Sequence, residues 1–258
     1  MCTVTIIPQD RGCRVVMSRD EAPGRPMGLP PRVVELGGRQ VLMPIDAPTG
    51  GTWIGVSDAG YAAALLNHYP GPVTEMAPTA PDQISRGGII PAVMSAPTLL
   101  DALDRAMQLP AERYADFRLL LFDQHRVAEI INEDAKITLR WNPIRGQPWL
   151  AGSALLGDAV AERPRRKLMR HALGADRKLW PALQDTLHRQ ACTNHTDLAV
   201  WVKGAGVRTV SITTAWWSDE GMVMSYHGLD PDRPAIDSDH RLTFGQPASA
   251  KCAGACGS

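Results

Sequence analysis

The order in which strand-like and helix-like stretches follow one another constrains this chain more than any other feature. β-type runs come first, helix-type periodicity follows, and β-type runs close the chain, with no regular βαβ alternation. That order excludes a doubly wound parallel sheet and predicts an α+β fold of layers built on mostly antiparallel sheets. Residues 3–8 and 13–18 are β-rich and are separated by Gln9, Asp10, Arg11 and Gly12, the composition of a hairpin turn. This first hairpin carries Cys2 at one end and returns Ser18, Arg19, Asp20 and Glu21 beside it.

Two more strand pairs are predicted, 32–36 with 39–43 around Gly37-Gly38, and 52–56 with 61–66, the latter ending in Asn67. Residues 22–31, rich in Pro and Gly, and residues 68–80 predict irregular chain. Thr98 predicts a helix N-cap with Asp101 three residues on, placing Leu99, Leu100, Leu103, Ala106 and Met107 on one face. Strands are expected at 118–122, 127–131 and 137–141, and helices at 156–173 and 178–190. Pro164 predicts a late start or a kink in the first of these helices. A strong hairpin, 208–217 with 222–226, closes the pattern. The expected organisation is one domain over residues 1–246 and a disordered tail of small residues over 247–258 that contains Cys252 and Cys256.

With 27 basic and 27 acidic side chains the formal net charge is zero, so no overall field draws the chain to nucleic acid or to an anionic membrane. No apolar run approaches the roughly 20 residues of a membrane span, and the N-terminus lacks a secretory layout, which predicts a cytoplasmic protein. The five cysteines, Cys2, Cys13, Cys192, Cys252 and Cys256, are odd in number and scattered, unlike a disulfide framework. His68, His188, His195 and His227 lack metal-ligand spacing, so no metal site is expected. Oligomeric state has no signature in the sequence.

Cys2 follows the initiator Met directly, and its small side chain favours removal of Met1. Thiol and α-amine would then share one residue, the amine titrating near pH ~7.7 against ~8.5 for an unperturbed thiol. Such an amine can take the thiol proton, the logic of N-terminal-nucleophile enzymes. The other reading of Cys2 is a small buried hydrophobe.

Three segments carry a resemblance. They are Met1-Cys2-Thr3 with Ser18-Arg19-Asp20-Glu21 and Arg25-Pro26, then Gly50-Gly51-Thr52-Trp53-Ile54-Gly55-Val56 running through to Asn67, then Arg208-Thr209-Val210-Ser211. Ser153 to Asp158 and Pro164-Arg165-Arg166 add to them. Over roughly residues 1–230 the sequence resembles the NRDE family of transport-and-Golgi-organisation proteins, itself similar to the choloylglycine-hydrolase and penicillin-acylase branch of the N-terminal-nucleophile hydrolases. The resemblance implies a four-layer αββα sandwich whose first strand projects the nucleophile into a cleft between the sheets.

It also implies catalytic roles for Cys2, Arg19, Asp20 and Asn67. Arg19 would stabilise the thiolate, Asp20 would hold the α-amine, and Asn67 would donate to an oxyanion. Arg19 and Asp20 are sequence neighbours, which on a regular strand point to opposite faces, so one of them serves the site and the other the fold unless the strand ends or bulges there. Ser18 stands where the family usually has Asn. Ser18, Arg165, Arg166 and Arg208 are candidate substrate-binding residues, the arginines for a carboxylate or phosphate. The implied reaction is hydrolysis of a non-peptide amide C–N bond without a cofactor. The alternative implied by the same family is a non-catalytic binding or trafficking protein that holds a hydrophobic ligand, haem or lipid, in that cleft, with Cys2, the histidines or the Cys252/Cys256 tail as axial contacts.

Overall fold

The computed structural model describes residues 2–10, 12–74, 82–144, 146–190, 199–204, 206–218, 220–229 and 236–243. Cys192, His195, Cys252 and Cys256, and with them the expected tail, lie outside the described residues.

The first hairpin forms as expected, β1 (Cys2–Pro8) with β2 (Cys13–Glu21). There follow β3 (Leu29–Leu36), β4 (Arg39–Ile45), β5 (Ile54–Ser57) and β6 (Ala62–Asn67), two helices α1 (Ile89–Met94) and α2 (Leu99–Met107), and β7 (Phe117–Phe122), β8 (Arg126–Glu133), β9 (Lys136–Pro143) and β10 (Trp149–Ser153). Helices α3 (Asp158–Leu173) and α4 (Trp180–His188) precede β11 (Arg208–Ser218), β12 (Gly221–Gly228) and β13 (Ile236–Thr243). The strands form two antiparallel sheets. One has six strands in the order β10-β1-β2-β11-β12-β13, the other seven in sequence order from β3 to β9. Short turns suffice for the second because each strand neighbours the next. Between β3 and β4, Gly37 and Gly38 both adopt positive φ (58° and 79°), which matches the right-handed twist of the hairpin and explains the paired glycines.

Alternation along the strands sorts side chains into three large cores among the described residues, beside a small cluster of Ala154, Ala161 and Val202. Cys2, Val4 and Ile6 of β1 and Val15 and Met17 of β2 face the other sheet, where they meet Leu42, Ile54, Leu66, Leu120 and Phe122. On the far side of the seven-stranded sheet, Val41, Met43, Ala63 and Leu119 pack against Ile90, Met94, Leu99 and Ala106 of α1 and α2. On the far side of the six-stranded sheet, Ile7 and Leu150 pack against Met169, Leu173, Trp180 and Leu187 of α3 and α4. The architecture is therefore an αββα sandwich.

Three elements escaped the sequence reading: α1, β10 and β13. In addition, β3 begins at Leu29, inside the stretch expected to be irregular. Helix α2 is capped by Thr98, whose side chain accepts from the Asp101 N–H, but Leu100 and Met107 are 53% and 39% exposed, and the buried face is Leu99, Ala102, Leu103 and Ala106. Helix α3 starts at Asp158 and carries Pro164 inside it. Pro164 lies beyond the first turn, so the helix loses one hydrogen-bond donor.

Two buried contacts fix the parts that frame the site. Arg118 of β7 ion-pairs with Glu129 and with Glu162 of α3, and Glu162 also accepts the Gly152 N–H at 2.9 Å, so β10 is tied to the opposite sheet and to its own helix. Thr52 donates its backbone N–H to the Gly87 carbonyl at 3.0 Å, and a Cβ added at Gly51 would lie 2.4 Å from the Gly87 backbone. Gly51→Ala is therefore expected to cost about 2 kcal/mol, an overpacking penalty, read as a lower urea midpoint with an unchanged slope.

Candidate active site

Antiparallel pairing places Cys2 directly opposite Arg19. Both residues line a cavity of about 470 Å³ whose wall also includes Trp53, Asn67, Glu21 and Arg86. The cavity lies at the end of the inter-sheet core, where β1 delivers its first residue and β6 its last. Cys2 is 9% exposed. Burial pushes its thiol up from the usual value, the amino terminus pulls it down, and Asp20 pushes it up again.

Arg19 does not carry a free charge. Its guanidinium pairs with Asp46 at 2.8 Å and with Glu21 at 3.0 Å and stacks over the Trp53 ring at 4.3 Å. Arg25 joins the same cluster, bonding the second Asp46 oxygen at 3.0 Å, where Thr49 also donates at 2.7 Å. Arg19 is engaged by two carboxylates, and burial leaves the Cys2 thiol above its ordinary range.

Asp20 points to the other face of the sheet. There it is buried and accepts a hydrogen bond from Thr209 Oγ1 at 2.6 Å. Burial raises its carboxyl to about 6, against the pull of the amino terminus, Thr209 and Arg165. The pairing of β2 with β11 shifts register between Thr209 and Ser211, so the irregularity lies on β11 and β2 keeps its alternation. Arg19 thus shares the face of the thiol, and Asp20 the face of the helices.

The Cys2 backbone nitrogen donates to Ser153 Oγ at 2.9 Å. Ser153 is the last residue of β10, the strand paired with the other side of β1. Asn67 lies across the cavity, its side-chain amide donating to the Tyr69 hydroxyl at 2.8 Å. The wall beside it is set by Asp158, whose carboxylate accepts from the Ala154 N–H at 3.2 Å and the Tyr69 N–H at 3.1 Å and bonds the His68 ring at 2.8 Å. The Asp158 contact with His68 raises that imidazole's pKa.

The four candidate substrate-binding residues lie elsewhere. Ser18 is buried on the helix face, its hydroxyl bonded to His188 Nδ1 at 2.8 Å. Arg165 is fully buried beneath β10, with Nη1 3.5 Å from the Ser153 carbonyl, and its charge acts on Asp20 from behind the wall. Arg166 pairs with Glu162 at 2.9 Å and lies over Trp149. Arg208 pairs in register with Glu21 at the start of β11, and the cavity lining among the described residues does not include it. The strand period turns Ser18 to the helix side and the helix layer places Arg165 behind the wall, whereas Arg208, opposite Glu21, shares the sheet face of that cavity residue.

Sequence reasoning missed Asp46 and Arg86, and it named Ser153 only within the resembling segment, without its contact to Cys2. Asp46 and Arg86 stand just outside β-type or helix-type periodicity, where no spacing marks them. Trp53, part of the segment 50–56, is buried and lines the cavity.

The sequence profile of the family described as Transport and Golgi organisation 2 matches residues 1–177. The chain belongs to this family. The match covers β1 to β10 and all of α3, and with them every residue of the cavity wall described above. The same architecture recurs in solved structures. A mutant of the conjugated bile acid hydrolase of Clostridium perfringens superposes with a TM-score of 0.51 at 12% identity, covering 96% of this chain and 97% of that one. A second variant of that hydrolase gives 0.52 at 10% identity over 98% and 100%. The Caenorhabditis elegans ortholog of N-acylethanolamine-hydrolyzing acid amidase gives 0.53 at 11% identity over 83% and 92%. At these identities the likeness concerns the fold, so this Transport and Golgi organisation 2 family member has the fold of N-terminal-nucleophile hydrolases. No curated protein matches it. Among the described residues, no helix is long and apolar enough to cross a membrane, and no group of three or more His, Cys, Asp or Glu is placed to hold a metal ion.

Proposed function

We propose that this protein is an N-terminal-cysteine amidohydrolase that cleaves a linear, non-peptide amide C–N bond. The observation that carries the reading is the position of Cys2, the first residue of β1, on the wall of the cavity with its own nitrogen held by Ser153 Oγ. Removal of Met1 makes that nitrogen an α-amine, with Ser153 and the Asp20 carboxylate to orient it.

The amine takes the Cys2 thiol proton, and Sγ adds to the amide carbonyl. Asn67, released from Tyr69, donates to the oxyanion; one well-aimed side-chain donor of this kind lowers the barrier by about 3 kcal/mol. The tetrahedral adduct collapses with loss of the C–N bond, and the α-ammonium gives its proton to the departing amine. Water, deprotonated by the same amine, then cleaves the thioester to a carboxylic acid and regenerates the thiol. Arg19 serves here by fixing the Glu21–Asp46 wall opposite the nucleophile. The chemistry fits a reducing compartment, the cytoplasm, where Cys2 remains a thiol.

The same cavity as a haem or lipid site has less support. Arg19, Arg25, Arg86, Glu21 and Asp46 line it, no histidine is among its described lining residues, and a buried apolar ligand would desolvate those charges. Intact-protein mass spectrometry with a reactive β-lactone tests the proposal. The expected result is a chain lacking Met1 that gains one acyl group, and a Cys2→Ala chain that gains none. Retained Met1, or an adduct that persists in Cys2→Ala, refutes the mechanism.

A further inference from the structure

The cavity contains three arginines in two different states. Arg19 and Arg25 are both held by Glu21 and Asp46. Arg86 is different. Its Nη1 donates to the backbone carbonyl of Asp116 at 2.7 Å, and among the described residues no carboxylate forms an ion pair with it. A guanidinium has five N–H donors in a planar fork, so most of its capacity is unspent. Burial is the largest influence on this group and disfavours its charge, while Tyr69, Cys2 and the carboxylates of Glu21 and Asp116 act on it electrostatically without pairing with it.

Arg86 is also rigidly placed. It opens a single 3-10 turn, Arg86–Gly88, whose preceding Ser85 accepts the Gly87 N–H and whose Gly87 carbonyl takes the Thr52 N–H. The close approach of Gly51 to Gly87 leaves this turn no room to slide. The Asp116 carbonyl that holds the guanidinium also accepts the His68 N–H, one residue beyond Asn67. The fold therefore keeps a partly desolvated cation, with no carboxylate in direct ion pair with it among the described residues, on the wall of the cavity that contains Cys2 and Asn67. Protein cations removed from water are ordinarily paired, and an unpaired one facing a cavity is matched by a charge on what enters it.

We infer that the ligand of this cavity is anionic, a linear amide carrying a carboxylate that Arg86 binds through charge-assisted hydrogen bonds. The inference rests on the amidohydrolase reading for the amide and on Arg86 alone for the carboxylate. A volume of about 470 Å³ accommodates a molecule of that kind, an N-acyl amino acid with a medium-length acyl chain being an example.

Calorimetric titration of N-octanoylglycine and of its uncharged methyl ester into the Cys2→Ala protein, which cannot turn over, tests the inference by binding alone. The acid should bind about 10-fold or more tightly than the ester, the gain expected of a charged hydrogen-bonded pair. Arg86→Gln should abolish that preference while leaving ester binding within about threefold, and Arg86→Lys, which keeps the charge and a donor to Asp116, should retain part of it. Equal binding of acid and ester, a preference that survives Arg86→Gln, or no binding of the acid at millimolar concentration overturns the inference. Acylation of Cys2 is not part of this readout, so the mass measurement above can fail while the carboxylate preference holds, and the reverse.

Discussion

Inserting one glutamate between Met1 and Cys2, so that the initiator Met is retained and Cys2 has no free amine, is expected to slow Cys2 acylation by a factor of about 10² to 10⁴, the usual worth of a positioned general base. The thiol stays in the chain, so the loss isolates the amine. Its size follows from the environment of the sulfur: burial raises the thiol above its ordinary range, and the nearby Arg19 is ion-paired to Glu21 and Asp46. At neutral pH the thiol is then protonated, and only a local base can expose the nucleophile. The amine is that base in the proposed mechanism, held by Ser153 Oγ. The measurement is the rate of β-lactone adduct formation by intact mass, with circular dichroism to show that the fold is kept. An inserted chain that acylates at the native rate would mean that Cys2 reacts as an ordinary side chain and that the N-terminal-nucleophile mechanism is wrong.

How much of this was legible in the sequence depends on how local each signal was. The β1–β2 hairpin was, because its turn residues and its β-branched runs are contiguous, and with it came the nearness of Cys2 to Arg19 and Asp20. Which of the two faces the thiol was decided by register, a property of two strands together, and the pairing of Cys2 with Arg19 settles it. Asn67 was legible as the end of a hydrophobic strand. Arg165 stands in the sequence as a basic residue beside another on a helix, but its place is set by the packing of α3 against β10, which buries it behind the wall. Ser153 belongs to a strand that pairs with β1 across some 150 residues of chain, and no local pattern announces such a partner. Asp46 and Arg86 are set by loops, where side-chain direction follows from turns and from neighbours distant in sequence. The fold was thus readable from short-range order, whereas the cavity wall was assembled from long-range contacts.

The helix face beneath the nucleophile should make stability depend on pH in a way that two opposing groups conceal. His188 is fully buried, its ring bonded to Thr5 Oγ1 at 2.7 Å and Ser18 Oγ at 2.8 Å, and burial, with Arg14, Arg165 and Arg189, lowers its pKa to about 3. Gln184 reinforces this contact, donating to Thr5 Oγ1 at 2.8 Å. In the unfolded chain the imidazole titrates near pH ~6.5. Between those values only the unfolded state takes the proton, so acidification destabilises the fold by about 1.4 kcal/mol per pH unit, about 5 kcal/mol in all. Asp20 has the opposite sign. Its folded carboxyl titrates near 6 and its unfolded one near ~3.9, so between these values the folded state binds the extra proton and gains about 3 kcal/mol on acidification. From pH 6 down to pH 4 the two contributions cancel, and the wild-type stability curve should be nearly flat as far as these groups determine it. Asp20→Asn removes the compensating term, so its urea-unfolding free energy should fall by about 1.4 kcal/mol for each unit of acidification in that window. His188→Gln should show the reverse, a stability that rises as pH falls from 6 to 4. If both variants run parallel to wild type across the window, neither group is held in the protonation state that the geometry assigns. The comparison of slopes is unaffected by whatever each substitution costs at a single pH, and it tests the same buried layer that holds the amine-facing side of Cys2 in place.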